Sequence, residues 1–237
     1  MKVEALRNSI VSDLKSHGTP GGSPKLQAYL GSPYPVLGLS TPQVREVMNA
    51  RKSLFKQMSA EELNTLCELL WTGPTLEEKS FAISLLANRS ELLDDRSWSM
   101  TNLWIEQAVG WALCDSLGSG PISAMLRQDP SRFKEVLGWT SSVNLWRRRI
   151  SAYTMREFVF AGELERPFSL LEQLLYDREF WVQRAVGTWL RECWKKDRRK
   201  TERFLLKHVR GLPRVVITVA TERAPRAFRE ELRRKRE

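Results

Sequence analysis

The amino-acid sequence predicts an all-α protein assembled from stacked pairs of helices. Three observations support this prediction: an internal sequence repeat, a series of helix-boundary signals, and the lack of paired strand patterns. The repeat is the clearest of them. Residues 104–112 read WIEQAVGWA and residues 181–190 read WVQRAVGTWL, so a Trp-led phrase containing Ala-Val-Gly occurs twice. A third phrase, NLWRRRIS at residues 144–151, shares the Trp-x-x-Arg spacing of the second.

The tryptophans that mark these phrases are separated by typical helical-repeat intervals. Trp146 follows Trp104 by 42 residues and precedes Trp181 by 35, which are the periods of HEAT-like and armadillo-like helix pairs. Stacked pairs form a solenoid in which equivalent helices line one concave face. We therefore expect a single HEAT-like repeat domain over residues 1–237, with an aromatic and cationic concave face. Chance similarity between amphipathic helices is the alternative explanation.

Helix-start signals recur along the first half of the chain. Polar N-cap residues, capping-box spacings and a proline near the helix start predict these beginnings. They lie at Thr41-Pro42, Ser59 with Glu62, Thr75 with Glu78, and Asp94 or Asp95. In contrast, residues 18–35 are rich in Gly, Pro and Ser, which predicts an irregular connection.

Similar signals divide the second half. Further helices are expected to begin at Asp129-Pro130-Ser131, Ser141 or Ser142, Arg166-Pro167, Asp177 and Asp197. The helix from Ser141 or Ser142 is expected to continue to about Gly162. Residues 215–220, VVITVA, have a strand-like composition, but no partner strand is evident. We therefore expect an apolar helix or turn there.

Composition excludes several classes of protein. There is no secretory signal and no apolar run near the roughly 18 residues of a membrane span. Three widely spaced cysteines are typical of reduced thiols in a cytoplasmic protein. With two histidines and no nucleotide-binding or HExxH motif, neither a metal site nor a cofactor is expected.

Charge is concentrated near the C-terminus. The chain carries 38 Lys and Arg against 28 Asp and Glu, a net charge of +10. From Trp181 onward there are 18 basic and 7 acidic residues, so the preceding 180 residues are nearly neutral. This asymmetry indicates a polyanionic partner. Arg184 and Arg191 are candidate contacts with this partner. For the basic tail, about residues 223–237, the alternative explanation is a solvated segment that binds no partner.

Trp111 and Asp115 are the residues best suited to chemistry. They are four positions apart in GWALCDSLG and therefore share one helix face. A carboxylate beside an indole requires an Arg partner, solvent or a cationic ligand. The alternative is that Asp115 caps a helix or pairs with an arginine of the next repeat.

Several motifs resemble those of the AlkD-type DNA alkylation repair proteins, a HEAT-like-repeat family of DNA glycosylases. They are TPQVRE after Leu-Gly, GWALCDSL, NLWRRR and WVQRAVGTWLRE, within roughly residues 25–195. The resemblance implies that Trp111 and Asp115 lie in a DNA-facing groove. It also implies that Arg149, with Arg148 beside it, holds the DNA backbone near the lesion, and that Tyr29 contributes to the pocket.

One position departs from the family pattern. The resemblance implies a second groove tryptophan directly after Gly187, but Thr188 stands there and Trp189 follows one residue later. One residue turns a helix by about 100°, so Trp189 either contacts DNA in the groove or lies in the core. Some members of the family are non-catalytic DNA binders with altered groove residues.

The resemblance implies hydrolysis of the N-glycosidic bond of cationic N3- or N7-alkylated purines in double-stranded DNA. Such a base leaves without a general acid, and one carboxylate can stabilise the cationic sugar and place a water. The alternatives are a non-catalytic HEAT-like module that binds duplex or branched DNA, and a protein-binding scaffold. We expect a monomer without membrane contact, located in the cytoplasm and associated with the bacterial nucleoid when on DNA.

Overall fold

A computed structural model of the chain describes residues 3–19 and 21–236. Every regular element within these ranges is helical and none is a strand, so the predicted all-α class is confirmed. The chain divides into two compact units, Met1–Met125 and Leu126–Glu237. None of the described helices combines the length and apolar character that a membrane crossing requires.

Short helices build the first unit. They are α1 (Val3–His17), α2 (Pro24–Leu30), α3 (Thr41–Asn49), α4 (Lys52–Gln57), α5 (Ala60–Trp71), α6 (Leu76–Asn88), α7 (Asp95–Gln107) and α8 (Trp111–Leu117). A π-helical turn (Gly118–Ile122) then leads to α9 (Ser123–Gln128). The core forms where α5 packs against α6 and α1, around Leu63, Leu66 and Phe81.

The capping signals of this unit are largely confirmed. Ser59, Thr75 and Asp94 each accept a hydrogen bond from the main-chain N–H three residues later. Ser40, not Thr41, is the N-cap of α3, because its side chain forms the capping box with Gln43. The irregular connection predicted over residues 18–35 is wrong in part: it contains α2, which begins at a proline and ends at Gly31 in the left-handed conformation.

A buried lysine ties the first unit together. Lys79 Nζ donates to the main-chain carbonyls of Trp71, at 2.5 Å, and Gly73, at 3.0 Å. It also lies 4.4 Å from the centre of the Tyr34 ring. Burial lowers the pKa of Lys79. The Trp71 indole in turn stacks on Trp104, with ring centres 4.4 Å apart and planes within 3°.

Helices of 6 to 17 residues build the second unit. They are α10 (Phe133–Gly138), α11 (Leu145–Tyr153), α12 (Arg156–Ala161), α13 (Glu165–Leu174), α14 (Phe180–Lys196), α15 (Arg198–His208), α16 (Arg214–Ala220) and α17 (Arg226–Arg236). Of these, α14 packs against α11, α13, α15 and α16 and is the central element.

Three predicted boundaries in this unit are wrong and others are confirmed. Asn144, not Ser141 or Ser142, caps α11, which ends at Tyr153 instead of reaching Gly162. α14 begins at Phe180, whereas Asp177 accepts a hydrogen bond from the Glu179 N–H before it. Asp197 caps α15, α13 begins next to the predicted Arg166-Pro167, and VVITVA belongs to α16.

Candidate functional site

Trp111 and Asp115 lie one turn apart on α8, as the sequence predicts. Both side chains are half-buried, and the residues between them, Leu113 and Cys114, face the core of the first unit. α8 therefore presents an indole and a carboxylate on one accessible face. Its neighbouring face, at Ala112 and Ser116, lines a cavity of about 600 Å³ bounded by residues of α2, α3 and α6.

Tyr29 lies against Trp111, so the structure brings together the three candidate residues of the first unit. The Trp111 indole N–H donates to the Tyr29 main-chain carbonyl at 2.9 Å. The two rings meet edge to face, with centres 5.6 Å apart and planes at 86°. The Tyr29 side chain is 68% exposed. An accessible aromatic corner therefore stands one turn from the Asp115 carboxylate.

Two glycines make this approach of α2 and α8 possible. Gly110, the N-cap of α8, has a φ of +91°, which favours glycine. A Cβ atom at Gly110 would lie 2.5 Å from the carbonyl oxygen of Gly31, which follows α2. The close main-chain contact fixes the distance between Tyr29 and Trp111. Sequence reasoning missed this role, although Gly110 belongs to the repeated Ala-Val-Gly phrase.

The helix beyond Asp115 changes its winding. Ser119 Oγ donates to the Asp115 main-chain carbonyl at 2.6 Å, at the start of the π-helical turn. Gly120 has non-helical torsion angles inside that turn. Gly118–Ile122 is thus a kinked π-turn. Such turns are frequent at functional sites.

The second unit presents an aromatic surface that joins two of the repeated phrases. The rings of Trp146 on α11 and Trp181 on α14 are 6.2 Å apart, and Phe180 meets Trp181 edge to face at 5.3 Å. Both indoles are half-buried, whereas Phe180 and Val143 are exposed. Sequence reasoning missed Phe180, although it directly precedes Trp181, the first residue of a repeated phrase.

Arg149 lies beneath this aromatic surface. Its side chain donates to the main-chain carbonyl of Trp181 and, at 3.3 Å, to Tyr153 Oη. The guanidinium also faces the rings of Tyr153 and Trp181, at 5.1 and 5.8 Å from their centres. Only 4% of Arg149 is exposed. Its observed contacts therefore position Trp181, and the phosphate contact predicted for Arg149 stays a prediction.

The other cationic candidates differ in accessibility. Arg148 forms a two-pronged ion pair with Asp177, at 2.6 and 3.3 Å, and donates to the Ser142 carbonyl. Arg191 pairs with Glu222 and is half-buried. Arg184 is exposed, 5.8 Å from the Phe180 ring centre. Arg184 is thus the candidate best placed to meet an external anion.

Trp189 lies in the core of the second unit. It is 4% exposed and meets Tyr153 edge to face at 5.5 Å. Its indole N–H is buried and has no hydrogen-bond partner in the part of the chain that the structure describes. Thr188, one residue earlier, is half-buried. Of the two positions left open for Trp189, the structure shows the core, so a DNA contact by Trp189 has no support in this arrangement.

In residues 3–19 and 21–236, no group of three or more His, Cys, Asp or Glu side chains is arranged to hold a metal ion. The three cysteines are buried and unpaired by disulfides.

A match to a family model shows which family the chain belongs to. The model of the DNA alkylation repair enzymes matches residues 10–224. The chain belongs to the DNA alkylation repair enzyme family. A role in the repair of alkylated DNA follows for this member, and the resemblance inferred from the sequence motifs is confirmed. No curated protein sequence matches the chain significantly.

Solved structures of related fold agree with this assignment. A predicted DNA alkylation repair enzyme from Enterococcus faecalis superimposes with a TM-score of 0.74 at 16% identity, over 89% of this chain and 98% of that one. AlkD2 from Streptococcus mutans gives 0.62 at 16% identity, over 84% and 97%. A further Streptococcus mutans protein gives 0.60 at 16% identity, over 77% and 92%. These likenesses show a shared all-α fold.

Proposed function

We propose that this family member is a DNA glycosylase for cationic N3- or N7-alkylated purines in duplex DNA. The observation that carries the proposal is the position of Asp115 one turn after Trp111 on the same face of α8. The Trp111 indole N–H donates to the Tyr29 carbonyl, which orients the ring. A carboxylate next to exposed aromatic rings suits a cationic base and a sugar that becomes cationic.

Asp115 supplies the electrostatic part of the mechanism. An alkylated purine already carries positive charge, so the C1′–N bond breaks with the base leaving as a neutral molecule. The deoxyribose left behind has oxocarbenium character, which the Asp115 carboxylate stabilises across a short distance. A water attacks C1′ while Asp115 accepts its hydrogen bond. A new C1′–O bond forms, and the water's proton passes to the carboxylate or to solvent.

The aromatic corner recognises the cationic lesion. Aromatic faces attract cations by about 0.5–2 kcal/mol per contact. Tyr29 and Trp111 meet edge to face, so their two ring planes bound adjacent sides of one space. Because Tyr29 is exposed, the base need not enter a deep enclosed pocket. We propose that these rings hold the alkylated nucleotide while Asp115 faces its sugar.

The second unit contributes contacts to the DNA backbone. Arg184 is exposed beside Phe180 and Trp181, so its guanidinium is available to a phosphate and the rings to sugar or base surfaces. Arg148, Arg149 and Arg191 already bind protein groups. We therefore propose that these three arginines act mainly by holding helices and Trp181 in place.

The test is release of 7-methylguanine from a duplex oligonucleotide under single-turnover conditions, measured by chromatography of the free base. We expect the parent protein to release the base and Asp115→Asn to do so at least about 100-fold more slowly, as for loss of a central electrostatic group. DNA affinity should be kept or increased, because a carboxylate repels phosphate. Glu106→Gln, at an exposed acidic residue of α7, is the matched charge control. Equal rates for parent and Asp115→Asn would rule out the role of Asp115.

A second candidate function is DNA binding without catalysis. It is favoured by Thr188, which stands where the family resemblance implies a groove tryptophan, and by the burial of Trp189. In that case the parent protein would bind duplex or branched DNA but release no base. The same assay, run with a binding measurement on each DNA, separates the two functions.

A further inference from the structure

The segment from Lys207 to Arg236 carries an excess of unpaired positive charge. It contains ten Lys and Arg against three Asp and Glu, a difference of seven. The three carboxylates are engaged, since Glu222 pairs with Arg191, Glu230 with Arg226 and Glu231 with Lys235. Seven arginines have no carboxylate partner among residues 3–19 and 21–236: Arg210, Arg214, Arg223, Arg229, Arg233, Arg234 and Arg236.

Four of these arginines, Arg229, Arg233, Arg234 and Arg236, belong to a docked helix. The predicted solvated tail, about residues 223–237, contains α17, which packs against α15. Phe228 and Leu232, one turn apart, are buried and anchor it. The ion pairs of Arg226 with Glu230, at 2.7 Å, and of Lys235 with Glu231, at 2.9 Å, follow the helix surface. Burial of Phe228 and Leu232 thus anchors the helix from which these four arginines extend.

A cleft between α16 and α17 gathers three of them. Arg214, Arg233 and Arg236 line a cavity of about 560 Å³ with Thr218, Ile217 and Gly211. Arg214, Arg233 and Thr218 are exposed, so the cleft opens to solvent. Arg236 Nε is buried and has no hydrogen-bond partner within residues 3–19 and 21–236. A guanidinium donor in that state favours an oxygen-rich anion, which can accept from two nitrogens at once.

The cleft has neighbours along the same helix. Arg236 also lines a second cavity of about 710 Å³, with Arg210, Arg234 and Lys235 on its wall and Tyr176 at its edge. A third, of about 240 Å³, lies beside Arg229 and Arg233. Shared arginines join the three cavities into one series. A series of cationic clefts fits consecutive charges on a polymer better than a single free anion.

We propose that these clefts, the α16–α17 arginine surface, bind consecutive phosphates of a DNA backbone as a second, sequence-independent contact. The choice of DNA as the polyanion rests on the proposed function. The surface differs from the candidate site in the aromatic corner of α8 and from the aromatic surface around Trp181. α17 also follows residue 224, where the match to the family model ends.

The test measures binding of an undamaged 20-base-pair duplex by fluorescence anisotropy across a range of salt concentrations. The test variant is Arg214→Gln/Arg233→Gln/Arg236→Gln. Loss of three phosphate contacts should reduce the salt slope by about 2–3 and the affinity at 0.15 M salt by about 100-fold. The matched control is Arg127→Gln/Arg198→Gln/Lys200→Gln, which removes the same charge at residues that already pair with carboxylates and line none of the clefts. The control should change the slope by less than about 1.

Two further measurements complete the test. Replacing the same three cleft residues by lysine keeps the charge and should restore most of the slope, which separates binding from a folding defect. Single-turnover base release at saturating protein should be unchanged in the glutamine variant, because the clefts do not touch the reacting atoms. If the parent releases no base but the cleft variant still binds DNA more weakly than the control, the glycosylase proposal fails and the second contact stands.

Two results would overturn the proposal. Equal loss of affinity in the cleft variant and the control would show that only net charge matters. Binding to phosphatidylglycerol vesicles through the same three arginines, in the absence of a cleft-dependent effect on duplex binding, would identify an anionic lipid surface as the partner instead.

Discussion

The indole N–H of Trp111 donates a hydrogen bond to the main-chain carbonyl of Tyr29, a residue 82 positions earlier in the chain. The bond links α2 to α8 and sets the angle of the indole relative to the Asp115 carboxylate one turn later. The aromatic corner is thus positioned by a contact between two helices and does not depend on α8 alone.

Removing only this hydrogen bond should weaken catalysis without unfolding the protein. Trp111→Phe keeps an aromatic ring but lacks the donor to Tyr29. A neutral hydrogen bond contributes about 1 kcal/mol, so we expect base release to slow by up to about tenfold. Trp111→Ala should lose more, because it also removes the ring. Release rates with 7-methylguanine DNA, together with melting temperatures, provide the check. A Phe variant as fast as the parent would show that the bond does not position the ring for catalysis.

The contact between Gly110 and Gly31 should be intolerant of a side chain. Gly110→Ala combines an unfavourable φ with a Cβ atom 2.5 Å from a carbonyl oxygen, so α8 must move away from α2. We expect a loss of more than about 1 kcal/mol in unfolding free energy and a clear loss of base release. Gly138→Ala is the control, because its Cβ would meet nothing within 4 Å. Denaturant unfolding compares the two, and equal stability of both variants would argue against the role of the contact.

Arg149 and Arg184 should respond differently to loss of charge. Arg149→Met removes the donor to the Trp181 carbonyl, so DNA affinity should fall by several-fold while the salt slope stays the same. Arg184→Met removes an exposed cation, so the slope should fall by about 1, as for one phosphate contact. Anisotropy titrations at several salt concentrations distinguish these effects. If both substitutions reduced the salt slope equally, the result would support the phosphate contact predicted for Arg149.

Trp189 should matter for stability more than for activity. Trp189→Ala should cost about 3–5 kcal/mol, as for other large core truncations. Trp189→Phe should cost much less, since it retains an aromatic contact with Tyr153 and removes an indole N–H that has no partner. Thermal unfolding and base release measured on both variants test this. A Phe variant that is stable but inactive would place Trp189 in the catalytic machinery.

The second unit should lose stability as the pH falls below about 6.5. Burial lowers the pKa of His208 in the folded protein, an effect opposed by Glu172 and supported by Lys207. Between the lowered pKa and the ordinary value of 6.5, the unfolded chain binds the proton more readily, so acidification favours unfolding. His208→Gln should flatten the fall in melting temperature between pH 7.5 and 5.5. A variant with the parent's pH profile would exclude His208 as the cause.

Local signals explain most of what the sequence predicted correctly. Ser59, Thr75, Asp94 and Asp197 cap helices because their side chains bond main-chain groups only two or three residues away. Trp111 and Asp115 share a face because helix geometry fixes the direction of residues four apart. VVITVA is helical despite its β-branched residues, and no strand is described that would pair with it.

The remaining features depend on residues distant in the chain. Arg149 is buried, and its partner is the main-chain carbonyl of Trp181. Because every residue has a main-chain carbonyl, the sequence does not indicate which residue accepts this hydrogen bond. The approach of Gly31 to Gly110 joins two phrases 79 positions apart. α11 ends at Tyr153 without a glycine or proline to mark it. α17 was predicted as a tail because its two apolar anchors, Phe228 and Leu232, lie among many charges.

Tyr29 contributes to the candidate site through two separate groups, its main-chain carbonyl and its phenol ring. Its carbonyl oxygen orients Trp111, and every amino acid carries that oxygen, so the indole would keep its place whatever residue stood at position 29 on the same backbone. The exposed phenol ring is then free to change size, polarity or hydrogen bonding. Under the proposed function, a substitution at position 29 would therefore change the surface that meets a damaged base without moving Trp111.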